Sequence, residues 1–172
     1  NKCYNIYMAK TFFKKIIVAI NGNQSSIHAA MYAIMMARVY HLSVKFVYVV
    51  DTATIKYLSM NRFLLSEEKI DFEEKLTIDG THYLDYVERL AVSKGLEVEK
   101  ELRSGGVFTE IIKAAEEYDA DLILLGGTEK DAARTDYRKP VLSRDQNEVL
   151  ANSKCPVLIV QKEGIEAEFK IF

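Results

Sequence analysis

Short apolar runs alternate along the chain with longer stretches in which apolar residues recur every three or four positions. The runs are typical of buried parallel strands, and the longer stretches are typical of helices that pack one face on a sheet. The predicted strands are 15–20, 44–50, 96–102, 121–125 and 157–160. The predicted helices between them are 27–40, 66–94, 108–118 and 143–152. This alternation predicts one α/β domain, an open doubly wound five-stranded parallel sheet with helices on both faces.

Three local patterns refine this outline. In the predicted third strand apolar residues alternate with glutamates, which indicates an edge strand with one wet face. Ser25 or Ser26 is predicted to cap the first helix, and Ser143 with Gln146 has the spacing of a capping box. Residues 52–65 are interpreted as a surface loop with some helical turns, and a lid over the site is the alternative.

The chain ends differ from the central domain in pattern. Residues 1–11 are aperiodic and are interpreted as a terminal arm or an added remnant. The domain is assigned to 12–163. Residues 164–172 form a tail, which is too apolar to be merely solvated and is expected to pack on a neighbour.

Composition narrows the class of protein. The 172 residues are 49% apolar and 28% charged, and 23 basic against 25 acidic side chains give a net charge of −2. Dispersed charges of both signs argue against nucleic acid or an anionic membrane as partner. No apolar run approaches the roughly 20 residues of a membrane span, and no signal peptide is recognisable. With only Cys3 and Cys155, the chain is predicted to be cytoplasmic.

Catalytic patterns are weak in this sequence. His28, His41 and His82 lie far from any partner at ligand spacing, and no nucleophile with a base is recognisable, so the protein is predicted not to be an enzyme. The remaining candidates are two turns, 21–23 and 126–128. A doubly wound sheet brings such turns together at its switch point, where backbone amides can hold a nucleotide.

Several segments, taken in order, resemble the universal stress protein family. They are 15–26, a second strand ending at 49–51, Gly105 before a helix, 120–126 and 155–160, and the resemblance spans about 12–161. It implies an adenine-nucleotide alpha-hydrolase-like fold with strand order 3-2-1-4-5. It also implies a homodimer in which fifth strands pair through Val157, Leu158, Ile159 and Val160.

Many members of that family bind ATP through a glycine motif after the fourth strand. Gly126 matches the first glycine, but the second falls on Glu129 and the final Gly-Ser pair falls on Ser143 and Arg144, after a longer spacer. The usual aspartate at the end of the first strand is Asn21 here. Because a carboxylate at Glu129 repels phosphate, the motif is interpreted as degenerate.

Three functional hypotheses follow from the resemblance. The first is a non-catalytic, dimeric stress-response protein that regulates through other proteins. The second is a nucleotide-binding protein for ATP or AMP with Mg²⁺, in which Arg144 and cations of the 128–142 segment hold phosphate. The third, an adenine-nucleotide hydrolase or adenylating enzyme, is disfavoured because 21–26 only faintly resembles a phosphate loop. The candidate nucleotide-binding residues are Asn21, Gly22, Asn23, Val50, Gly126, Gly127, Thr128, Ser143 and Arg144.

Overall fold

A computed structural model describes residues 12–61, 63, 65–128 and 142–172, so the predicted arm 1–11 and most of the 128–142 segment lie outside the described residues. The strands are β1 (Lys15–Ile20), β2 (Ser43–Asp51), β3 (Glu99–Gly105), β4 (Leu122–Gly126) and β5 (Val157–Val160). The helices of the described part are α1 (Gln24–Tyr40), α2 (Thr52–Met60), α3 (Ser66–Ser93), α4 (Val107–Glu117), α5 (Arg144–Asn152) and α6 (Ile165–Ile171). None of these helices has the length and apolar character needed to cross a bilayer.

The five strands form one parallel sheet in the order β3-β2-β1-β4-β5. Alternate residues of β1 point to opposite faces. Ile16 and Val18 join a core with α1 and α3, whereas Ile17 joins a second core with α4 and α5. Burial on both faces explains why β4, and β1 after Lys15, are apolar without interruption. The predicted doubly wound fold and its strand order are confirmed.

The third strand lies at the predicted edge, but its predicted bounds are wrong. It begins three residues later, at Glu99, while Leu96 and Val98 precede it and pack against the core. Because these two partly buried residues are two positions apart, they produce the same apolar alternation as a strand with one buried face. The Arg103 side chain of β3 is only 13% exposed, because it pairs with Glu110 at 3.0 Å and Glu117 at 2.8 Å, whereas Leu102 on the other face of the strand is 36% exposed. Such charged groups discourage further strands from pairing at this edge.

One prediction about helices is also wrong, and a second is less specific than the structure. The cap of α1 is Asn23, whose Oδ1 accepts from the Ser26 N–H at 2.9 Å, so Ser25 and Ser26 lie inside the first turn. Residues 52–60, expected in a surface loop with some helical turns, form one continuous helix, α2. The Asp51 carboxylate caps it by accepting from the Thr54 N–H at 3.0 Å. Because Ile55 is its only buried residue, α2 has no periodic apolar face that the sequence could reveal.

The tail folds back on its own chain as α6. Ile165 and Phe169 are 1% and 5% exposed and belong to the core that α1 shares, so at least these two apolar residues need no neighbouring molecule. This packing also gives His28, expected to be isolated, a partner: its Nε2 lies 3.1 Å from Glu166 Oε1. The contact could not be predicted because 138 residues separate the two side chains.

Candidate functional site

A cleft of about 500 Å³ opens where the carboxyl ends of β1 and β4 meet the start of α5. This is the switch point at which doubly wound sheets bind ligands. Six of the predicted site residues line it: Asn21, Asn23, Gly126, Gly127, Thr128 and Ser143. The other three lie elsewhere. Gly22 borders a different hollow beside Tyr83, Val50 is buried in the core, and Arg144 is exposed at the first position of α5.

The turn after β1 is held together by its own side chains. The Asn21 N–H donates to Ser26 Oγ at 3.3 Å, and the Asn23 N–H donates to Asn21 Oδ1 at 3.1 Å. Gly22 has a φ of 84°, and a Cβ there would clash with the Tyr83 ring. The amides of Asn21 and Asn23, which were predicted to face a nucleotide, are therefore already bonded within the turn.

The exit of β4 is held instead by the last residue of β5 and the residue that follows it. The Gly127 N–H donates to Val160 O at 2.9 Å, and the Thr128 N–H donates to Gln161 Oε1 at 2.8 Å. Gly126 has no room for a side chain, since a Cβ on it would lie 2.5 Å from the Ser25 carbonyl carbon. This glycine lets β4 approach the start of α1. The amide N–H groups of Gly127 and Thr128 therefore already donate hydrogen bonds within the protein.

The start of α5 completes the cleft. The predicted capping box is confirmed, because Ser143 Oγ accepts from the Gln146 N–H and Gln146 Oε1 accepts from the Ser143 N–H at 2.6 Å. Gln146 also reaches across the cleft, where its Nε2 donates to Gly126 O at 2.6 Å. Sequence analysis found the cap but missed this second bond, which joins α5 to β4.

The described walls of the cleft are acidic. Asp145 has the only charged side chain among the described lining residues. Burial raises the pKa of the Asp145 carboxyl above its usual range, and the nearby charge of Asp51 raises it further. Asp145 was missed from sequence because a carboxylate in the first turn of a helix is ordinary. Within the described ranges, no group of three or more histidine, cysteine or acidic side chains is placed to hold a metal.

The comparisons with known proteins agree with this fold. A sequence model of the universal stress protein family matches residues 12–161. The chain belongs to the universal stress protein family. A relative in this family, universal stress protein MJ0531 of Methanocaldococcus jannaschii, is 32% identical over 153 residues, which are 89% of this chain and 85% of the relative.

Solved structures share the architecture at lower identity. The hypothetical protein MJ0577 superposes with a TM-score of 0.69 at 20% identity, over 89% of this chain and 99% of that one. A universal stress protein in complex with cAMP has a TM-score of 0.58 at 20% identity, covering 87% and 97% of the two chains. One from Archaeoglobus fulgidus in complex with dAMP has a TM-score of 0.57 at 17% identity, covering 87% and 99%. These likenesses establish a common fold.

Proposed function

We propose that the protein is a non-catalytic, regulatory universal stress protein whose cleft accepts the nucleoside part of an adenine nucleotide and holds a triphosphate poorly. The supporting observation is the state of the two turns that form the cleft. Amides of Asn21, Asn23, Gly127 and Thr128 donate to partners within the protein. A triphosphate would have to displace those bonds and also approach the Asp145 carboxylate.

The cleft suits a ligand of nucleoside size. Its volume of about 500 Å³ lies within the roughly 300–1,000 Å³ of typical small-molecule sites. Apolar side chains of Val47, Val49 and Ile111 face it together with the polar groups of Asn21 and Ser143. That the two similar proteins described above were solved with cAMP and dAMP supports a nucleoside monophosphate as the ligand.

A binding role is favoured over turnover by the chemistry of the walls. The described lining contains no histidine, lysine or cysteine, so the Asp145 carboxylate is its one candidate general base. Its hydroxyl groups include that of Ser143, which already accepts the capping hydrogen bond of α5. We therefore expect bound nucleotide to be released unchanged.

Isothermal titration with AMP, cAMP and ATP, each with and without Mg²⁺, tests the proposal. We expect AMP to bind at least tenfold more tightly than ATP. Asp145→Asn should strengthen the binding of both, because it removes a negative charge from the cleft, while the exposed Asp71→Asn on α3 serves as control. ATP binding equal to or tighter than AMP binding, or release of phosphate from ATP, would contradict the proposal.

A second candidate is a rebuilt phosphate site that uses Arg144. It is favoured by one observation: Arg144 directly follows Ser143, which lines the cleft, and occupies the amino end of α5, where the helix dipole favours anions. In that case Arg144→Ala should weaken ATP binding at least tenfold and AMP binding less. An unchanged ATP affinity in this variant removes the second candidate.

The homodimer through β5 is part of the same proposal. β5 forms the sheet edge opposite β3, and its residues Val157, Leu158 and Ile159 are only partly buried. An apolar edge of this kind is stabilised when it pairs with a copy of itself. Ile159→Lys should shift the protein from dimer to monomer in sedimentation experiments. A wild-type monomer at high concentration would contradict the dimer.

A further inference from the structure

The helix pair α2 and α3 exposes large apolar side chains around its connection. Six side chains within sixteen residues are between 45% and 74% exposed. They are Tyr57, Met60, Phe63, Leu65, Ile70 and Phe72. Phe72 lies two residues after Ile70 and therefore on another side of α3, so we call the other five the α2–α3 surface. Since α2 has Ile55 as its only buried residue, most of its apolar side chains do not stabilise the core.

The size of this surface is that of an interaction site. At roughly 150–200 Å² for each large apolar side chain, the exposed fractions of these five correspond to about 500–700 Å² of surface. The largest apolar patch on a typical monomer is about 300–600 Å², and a standard interface buries about 800 Å² on each partner. The α2–α3 surface is thus large enough to form most of one side of an interface.

The charges beside the surface restrict its partner. The first half of α3, residues 66–79, contains six acidic side chains against two lysines, a local charge of −4. The preceding residues 52–65 contribute only Lys56 and Arg62, so the acidic character belongs to α3. A second copy that packed its α3 against this α3 would bring two acidic segments together, and α3 would also be repelled by an anionic membrane.

We propose that the α2–α3 surface binds a cationic amphipathic helix of a partner protein. The apolar face of that helix covers Met60, Phe63 and Ile70, while its lysines or arginines pair with the acids of α3. Amphipathic helices commonly bind apolar surfaces of helical proteins in this manner, with cations on their outer edges setting the partner choice. The site is separate from the nucleotide cleft and does not depend on it.

A synthetic eighteen-residue leucine–lysine peptide, designed as an amphipathic helix and labelled with fluorescein, is the probe. Fluorescence anisotropy with the full-length protein should give a dissociation constant in the micromolar range. A scrambled peptide of equal composition, which has no continuous apolar face, should bind at least tenfold more weakly. Equal binding of the two peptides would reduce the interaction to nonspecific charge attraction and overturn the proposal.

Variants locate the binding site. The double substitution Met60→Ser with Phe63→Ser should weaken peptide binding at least tenfold without lowering the thermal stability, because these side chains are 74% and 73% exposed. Glu67→Gln with Glu74→Gln should weaken it several-fold, and less at high salt. The matched control is Val39→Ser with Tyr40→Ser at the end of α1, where exposure is 55% and 60%. Unchanged binding in the Met60/Phe63 variant would overturn the proposal.

Two other occupants are distinguished in the same experiments. If Met60→Ser with Phe63→Ser lowers the oligomeric state in sedimentation, a second copy occupies the surface and the proposal is wrong. If the wild type binds neutral phosphatidylcholine vesicles and not the amphipathic peptide, the surface serves a lipid and the proposal is equally wrong. We expect the oligomeric state to be unchanged by these substitutions and vesicle binding to be absent.

Discussion

The turns after β1 and after β4 occupy equivalent places in the fold, but they are fixed in different ways. The first is closed within six residues, by the side chains of Asn21, Asn23 and Ser26. The second depends on Gln146 and Gln161, which follow it by 20 and 33 residues. The first turn can therefore form with α1 alone, whereas the second needs α5 and β5 in place. One half of the cleft is held by hydrogen bonds between residues close in sequence, and the other by hydrogen bonds to elements that follow much later in the chain.

Gly126→Ser should produce the largest effect, because it affects the point where the two turns touch. A Cβ on Gly126 would meet the backbone of Ser25 and Ser26 at 2.5 to 2.6 Å, and backbone cannot move aside as a side chain can. We expect the free energy of unfolding to fall by about 3 kcal/mol. Urea denaturation measures the loss.

The same substitution at Gly106 is the control. Gly106 is the N-cap of α4, and a Cβ there would lie no closer than 3.6 Å to its nearest neighbour, Thr109 Oγ1. Because serine is a good N-cap, Gly106→Ser should leave stability unchanged or slightly higher. Equal losses in the two variants would mean that the close approach at Gly126 does not determine the geometry of the cleft.

Gln146→Ala is expected to have the second largest effect. It removes the bond from the Ser143 N–H and the bond to Gly126 O, both 2.6 Å long. We expect the free energy of unfolding to fall by about 1–2 kcal/mol, since the Ser143 N–H and the partly buried Gly126 carbonyl both lose their hydrogen-bond partner. Asn152→Ala, at the exposed last residue of α5, is the control and should cost much less.

Asn23→Ala tests the local half of the comparison. It removes the cap of α1, so we expect a loss of about 1 kcal/mol. Hydrogen exchange separates the two turns. In this variant the amides of Ser26 and Ile27 should exchange faster, while those of Gly127 and Thr128 should keep their protection. Faster exchange at Thr128 in the Asn23 variant would show that the two turns are coupled.

The same division explains what the sequence can predict. Patterns within one element were sufficient for β1, β4, β5 and the capping box of Ser143 and Gln146, because burial and capping leave a periodic or short-range signature. The hydrogen bond from Thr128 to Gln161 leaves no such signature, because the sequence does not show which glutamines after a strand bond to a distant turn. The sequence indicated only some helical turns where α2 forms, because α2 has the Asp51 cap and one buried side chain but no repeated apolar face.

Asp145→Asn should have the smallest effect on stability, but its sign is informative. The pKa of this carboxyl is raised in the folded state, by burial and by Asp51, so ionisation costs more in the fold than in the unfolded chain. That cost is absent below the unfolded pKa, where both states are protonated, and complete above the folded pKa. Wild-type stability should therefore fall as pH rises through that interval, in which the unfolded state binds fewer protons.

The asparagine variant has no carboxyl group at this position and should lack this part of the pH dependence. At neutral pH it should be more stable than wild type by less than about 1 kcal/mol, because the α5 dipole favours a carboxylate in the first turn and offsets part of the gain. Urea denaturation of both proteins between acidic and neutral pH measures the difference. If the variant is less stable at neutral pH, the dipole outweighs burial. The described cleft would then accept negative charge more readily than proposed, and the argument against a bound triphosphate would weaken with it.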